Sequence, residues 1–177
     1  MVTTGVYAGR SVAVVCEEMA RLGRTDRVVG IDLFMGVSHS GHCPITFDDV
    51  KAFLADEGHH PELMAMDSAE PTPDFNGTSL LFIDCRHTVE HLDRLWAAWE
   101  PLLVNGAIVA FHDYKPWGLD PDYPVRLWVD ANIRGNKKWG WLGCIDWTVA
   151  VKDGYRLSLN ESAVRAKLIK LVKEAKK

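Results

Sequence analysis

A chain of 177 residues with 47 % hydrophobic content is long enough for one domain with a sizeable core, and no feature of it asks for a second. Its formal charge of −4 is mild, so the chain as a whole is no polyanion binder; the six Lys or Arg against two Glu from Glu161 onward read as the solvated face of a basic terminal helix at about 161–177. Cys16, Cys43, Cys85 and Cys144 form no CxxC pair, the opening residues MVTTG lack the basic start and apolar centre of an export signal, and no apolar run approaches the roughly 18 residues of a membrane span. The expectation is a cytoplasmic single domain with reduced thiols and no membrane partner.

From Arg10 to Leu22 the apolar residues Val12, Val15, Cys16, Met19 and Ala20 recur at three and four, which predicts a helix with one buried face. Arg27 to Asp32, RVVGID, reads as a buried strand ending on an acid, and a Gly- and His-rich loop, Leu33 to Pro44, follows it. Thr46 is placed to cap a helix through about Asp56, with Asp48 and Asp49 in the first turn. Glu62 to Met66 is a short strand ending at Asp67, and the Pro-rich stretch Glu70 to Gly77 leads away from it.

Two β-prone runs then end abruptly in acids and histidines: Ser79 to His87, SLLFIDCRH, and Gly106 to Tyr114, GAIVAFHDY. Between them Val89, Leu92, Trp96, Trp99 and Leu103 mark one stripe of a helix for which Asn105-Gly106 supplies the stop. A right-handed crossover makes the two strands parallel, so Asp84, His87, His112 and Asp113 emerge at one carboxyl edge, where open α/β sheets bind ligands. Further on, a helix is predicted over Tyr123 to Ile133 and strands over Trp139 to Ile145 and Trp147 to Lys152. Asp153-Gly154 is a hairpin turn toward Tyr155 to Leu159, and Val164, Leu168, Leu171 and Val172 stripe a final helix. The order predicts an α/β fold in three layers, with a mostly parallel sheet and antiparallel strands at one edge.

The segment Gly5-Val6-Tyr7-Ala8-Gly9-Arg10-Ser11 sits where a first strand turns into the first helix, and its glycines and free N–H groups suit an anionic ligand. The dinucleotide fingerprint GxGxxG is broken by Tyr7, which speaks against a nicotinamide cofactor. Asp32, about 20 residues past the glycine turn, has the position of an acid that binds ribose hydroxyls, and Asp67 ends the next strand in the corresponding place for an adenine. In the loop at 37–44, His39, His42 and Cys43 match no common zinc spacing and read as part of a lid. Of the seven tryptophans, Trp96 and Trp99 belong to a helix face, while Trp117, Trp128, Trp139, Trp141 and Trp147 fill the antiparallel edge or offer an aromatic surface to a flat acceptor or a second copy of the chain. Arg126, Arg134, Lys137 and Lys138 nearby are a weak signal for nucleic acid.

The succession GVYAGRS, VVGIDLF, LLFIDCRHTVEHL and LLVNGAIVAFHDY resembles the class I S-adenosylmethionine-dependent methyltransferases, and within them the methyltransferase 24 type that contains small-molecule and sugar O-methyltransferases. The resemblance covers about Gly5 to Lys152 and implies a Rossmann-like sandwich with S-adenosylmethionine as cofactor. It assigns Gly5, Tyr7, Gly9, Arg10 and Ser11 to the loop around the methionine part, Asp32 to the ribose, and Asp67 and Asp84 to the cofactor's flanks. It makes His87, His112 and Asp113 the candidates for proton removal. It also implies a site for a divalent ion, magnesium or manganese, on Asp84, His112 and Asp113. The acceptor implied is a small molecule or sugar hydroxyl.

The departures from the family's pattern are specific. Thr3 stands where the family has an acid for the cofactor's amino group, Cys85 and Asn105 replace glycines, and Val89 replaces a tyrosine. Gly5 follows only four residues, so the expectation is a shortened amino terminus with a very short central strand and no covering helix. Two other readings stay open: a non-catalytic binding or assembly module that has weakened or lost its cofactor, which Thr3 favours, and a nicotinamide oxidoreductase, which the broken fingerprint disfavours.

Overall fold

Seven strands form one sheet in the order β3-β2-β1-β4-β5-β7-β6 in a computed structural model that describes residues 1–35, 45–114, 122–145 and 148–153. In chain order the elements are β1 (Val2–Thr4), α1 (Arg10–Arg21), β2 (Val29–Asp32), α2 (Phe47–Asp56), β3 (Glu62–Ala65), β4 (Thr78–Ile83), α3 (Val89–Trp99), β5 (Leu103–Phe111), α4 (Pro124–Asn132), β6 (Trp139–Ile145) and β7 (Thr148–Asp153). The strands β1 to β5 run parallel, and β7 lies antiparallel between β5 and β6. This is the Rossmann-like architecture, with the antiparallel edge where the sequence predicts it. The loop residues His39, His42 and Cys43, together with Trp117, Trp147, the turn at Gly154, the strand Tyr155 to Leu159 and the terminal helix, lie outside the described residues.

The alternation of strand side chains builds the two faces. On β2, Val29 and Ile31 join the larger core, which holds Leu81, Leu92, Leu95, Trp99, Phe111 and Trp128 under α3 and α4. Gly30 points the other way, where a Cβ would lie 2.9 Å from Val6 and 3.0 Å from Val12, so α1 packs against bare backbone. Val6, Val12, Val50 and Leu54 form the second core beneath α1 and α2. Trp99 is fully buried and its Nε1 donates to the Ser68 carbonyl at 2.7 Å; truncation of such a side chain to Ala costs about 3–5 kcal/mol. Trp128 and Trp139 are buried as well, which makes them core rather than an acceptor floor.

Local signals hold at most helix ends. Thr46 caps α2 in a reciprocal box: its hydroxyl accepts from the Asp49 N–H at 3.2 Å, and Asp49 Oδ2 accepts from the Thr46 N–H at 2.9 Å. Thr88 caps α3 by accepting from the His91 N–H at 3.3 Å. The stop of α3 is a correction. The helix ends at Trp99 and tightens into a 3₁₀ turn at Glu100–Leu102 because Pro101 cannot continue it, and β5 already begins at Leu103. Asn105-Gly106 lies inside that strand, with Gly106 at φ +82° where the pairing of β4 with β5 shifts register between Thr78 and Leu80. The central strand β1 is three residues long, and all three are buried between β2 and β4.

Candidate functional site

Because β1, β2, β4 and β5 are parallel, their carboxyl ends open onto one edge, and every candidate residue except Asp67 clusters on those four ends or the loops leaving them. The loop after β1 leaves the sheet at Gly5, φ +80°, where a Cβ would sit 1.9 Å from the Asp84 carbonyl oxygen. Only glycine fits there, and the loop therefore touches the end of β4 backbone to backbone. Gly9 caps α1 without a side-chain bond, leaving Arg10 exposed and Ser11 half-buried in its first turn.

Two N–H groups of this loop, ahead of the helix start, are engaged within the chain. Asp32 Oδ2 accepts from the N–H of Val6 at 2.8 Å and of Tyr7 at 3.0 Å, while Oδ1 accepts from the Phe34 N–H at 2.9 Å. Tyr7 and Phe34 sit at φ +45° and +50°, each a conformation costing on the order of 1–3 kcal/mol, and three bonds to one carboxylate offset that strain. Asp32 thus clamps two strained turns. With roughly four acceptor sites on a carboxylate, it retains about one for a ligand. Thr3 is 1 % exposed inside the sheet and offers no charge to the edge. Asp67, just past β3, is engaged too: its carboxylate accepts from the Ala69 N–H at 2.9 Å and from Arg94 at 3.2 Å.

The ends of β4 and β5 bring four titratable side chains together. His112 Nδ1 lies 3.0 Å from Asp84 Oδ1 and 3.2 Å from Asp113 Oδ1; His87 Nε2 lies 3.5 Å from Asp113 Oδ2 and 3.8 Å from Asp84 Oδ1. All four are partly buried. Asp113 and Asp84 push the His112 imidazole up to about 10, against a smaller opposing effect of burial. Burial raises the Asp84 carboxyl, but the contacts with His112 and His87 outweigh it and hold Asp84 below its usual range. The two carboxylates beside His112 thus favour its imidazolium form.

The same strand ends hold a donor set for a divalent ion. Asp84, His87 and Asp113 each offer a ligand atom, all within 4.8 Å of one another, while His112 Nδ1 lies 3.0 and 3.2 Å from the same two carboxylates. A mixed nitrogen and oxygen set suits manganese better than magnesium, which prefers oxygen alone.

Sequence reasoning missed Tyr123. Its hydroxyl shares a hydrogen bond with His87 Nδ1 at 2.7 Å, although 36 residues separate the two. The available signal was a tyrosine directly before the proline that opens a helix at the same edge. Away from this edge, a cleft of about 400 Å³ opens at the far ends of α1 and α2, lined by residues including Cys16, Arg27, His59 and His60. Among the described residues it gathers no set of ligand atoms. No helix among the described residues is long and apolar enough to cross a membrane.

Comparison with known proteins agrees with this geometry. Residues 2–114, more than half of the chain, match the family model of the type 24 methyltransferase domain. Comparison with curated protein sequences gives no significant match. Among solved structures, the chain is similar to the TDP-rhamnose 3'-O-methyltransferase CalS11 of calicheamicin biosynthesis, with TM-score 0.62 and 17 % identity over 88 % of this chain and 72 % of that one. It is similar to the O-methyltransferase NovP, with TM-score 0.68 and 14 % identity over the same shares of 88 % and 72 %. An rRNA methylase from Streptococcus thermophilus shares the fold as well, at TM-score 0.57 and 11 % identity over 86 % and 85 %, so the fold alone does not select the acceptor. With the strand order, the glycine loop and the acid-bearing strand ends in place, this chain belongs to the methyltransferase-domain family of type 24, within the class I methyltransferases.

Proposed function

We propose that this chain transfers a methyl group from S-adenosylmethionine to a hydroxyl of a small molecule or sugar. One observation carries the reading: the glycine loop lies in backbone contact with the strand end that bears Asp84, beside His87, His112 and Asp113. That places a cofactor-type loop directly against a proton-handling cluster, which is the juxtaposition that in-line transfer to an oxygen needs. The residues fit the cofactor in part. Asp32 keeps one acceptor site for a ribose hydroxyl, and Gly5, Tyr7, Gly9, Arg10 and Ser11 border the methionine end, whereas Thr3 supplies no carboxylate. When bound, the cofactor supplies an electrophilic methyl group on a sulfonium.

The chain's own groups handle the proton of the acceptor hydroxyl. Two carboxylates in the cluster attract that proton, and Asp113 and His87 are its acceptors, because His112 is already protonated at neutral pH. Alternatively, a divalent ion held by Asp84, His87 and Asp113 would lower the pKa of the hydroxyl, with His87 and Asp113 then serving as its ligands in place of proton acceptors. The resemblance to sugar O-methyltransferases supports oxygen as the acceptor atom.

A second reading has its own support. Thr3 in place of an acid, and an Asp32 largely spent on backbone N–H groups, favour a binding or assembly module with weakened cofactor affinity. Calorimetric titration of the folded chain with S-adenosylmethionine separates the two. We expect a dissociation constant in the range of about 1–100 μM, or −8 to −5.5 kcal/mol. Absence of binding at about millimolar cofactor would leave the module reading in its place.

A further inference from the structure

His87 and Tyr123 occupy equivalent places on two neighbouring helices. His87 stands two residues before α3, next to its cap Thr88, and Tyr123 stands directly before α4. Pro124 at the first position of α4 keeps Tyr123 extended, at φ −62° and ψ 128°, so it cannot join the helix. The two helices are fastened to each other: Trp128 Nε1 on α4 donates to Asp93 on α3 at 2.6 Å, and the rings of Trp96 and Trp128 meet edge-on at 5.7 Å. The separation of His87 and Tyr123 is therefore set by a packed helix pair.

Among the described residues, the shortest polar contact of the His87 ring is with Tyr123. Its Nδ1 is 2.7 Å from the Tyr123 hydroxyl, while its Nε2 lies 3.5 and 3.8 Å from the carboxylates, at or beyond hydrogen-bond range. We infer that Tyr123 is a positioning residue: through Nδ1 it fixes the His87 ring so that Nε2 faces the space between Asp84 and Asp113. A hydroxyl can donate to a bare Nδ1 or accept from a protonated one, so the bond is available to either tautomer of the ring. The contrast with His112 gives this its meaning. His112 Nδ1 meets carboxylate oxygens at 3.0 and 3.2 Å, whereas His87 Nδ1 meets the phenol hydroxyl of Tyr123. The arrangement follows the general logic of a base aimed by a third group. For its catalytic consequence the inference rests on the methyl-transfer reading above.

The test is Tyr123→Phe, read in two ways. In the cofactor-free protein at a fixed pH of about 8, above the ordinary histidine range, the ¹⁵N resonance of His87 Nδ1 should move toward that of an unbonded imidazole nitrogen. In methyl-transfer assays kcat should fall about 10–100-fold while KM stays within about twofold. Superimposable His87 resonances overturn the inference, and so does a displaced resonance with unchanged kcat. If the wild-type chain transfers no methyl group, the methyl-transfer reading fails by itself, and the resonances, recorded without cofactor or acceptor, still decide whether Tyr123 orients His87. Should Tyr123→Phe not fold, 3-fluorotyrosine at position 123 keeps the shape and alters only the acidity of the hydroxyl. It should displace the same resonance, and no displacement overturns the inference.

Discussion

The two halves of the carboxyl edge satisfy their acids by opposite means. Beside the glycine loop, Asp32 is held by three backbone N–H groups; at the ends of β4 and β5, Asp84 and Asp113 lie against imidazoles. Backbone donors cannot titrate, so the first half is a fixed scaffold over the whole working range of pH. The second half is a set of coupled charges whose state changes with protons or with a cation. The difference shows where the fold spends rigidity and where it keeps chemistry adjustable.

Three substitutions probe this contrast. Gly5→Ala should act hardest, because it drives a Cβ into the Asp84 carbonyl at a positive φ; we expect a loss of about 3 kcal/mol or more in denaturant unfolding. A variant of wild-type stability would show that the two halves do not meet at Gly5. Asp32→Asn should cost about 2 kcal/mol, since an amide cannot accept all three N–H bonds, and the cost should be the same at pH values of about 6 and 9. A cost that varied across that window would contradict a clamp made only of backbone donors.

Asp84→Asn should cost least, about 1 kcal/mol, and its cost should depend on pH in a stated direction. His112 is raised from 6.5 in the unfolded chain to about 10 in the folded one. A raised pKa stabilises fully below the unfolded value and loses that stabilisation as pH climbs through the folded value. The deficit of Asp84→Asn relative to the wild type, in metal-free buffer, should therefore be largest near pH 6 and shrink toward about 10. NMR titration of His112 in the variant should show its pKa falling, and an unmoved His112 would disprove the coupling.

Much of this was readable in the chain. The acid- and histidine-terminated runs SLLFIDCRH and GAIVAFHDY announce their own ends, because apolar β-prone residues stop where solvent begins. A mostly parallel sheet with antiparallel strands at one edge followed from the order of strands and helices. What was hidden depends on torsion angles or on distant contacts. The engagement of Asp32 requires positive φ at Tyr7 and Phe34, which neither residue type suggests. The partnership of Tyr123 with His87 arises only when α3 and α4 pack. The end of α3 was misplaced for a plainer reason: Pro101 already carried the stop, and Gly106 serves the strand instead.

The missing side chain at Gly5 has a consequence for how this protein can change. Since main-chain atoms alone meet between the loop and the end of β4, the spacing of the two half-sites is a ruler made of peptide groups. Substitutions elsewhere can repaint the surfaces on either side without changing the gap between the loop and the end of β4.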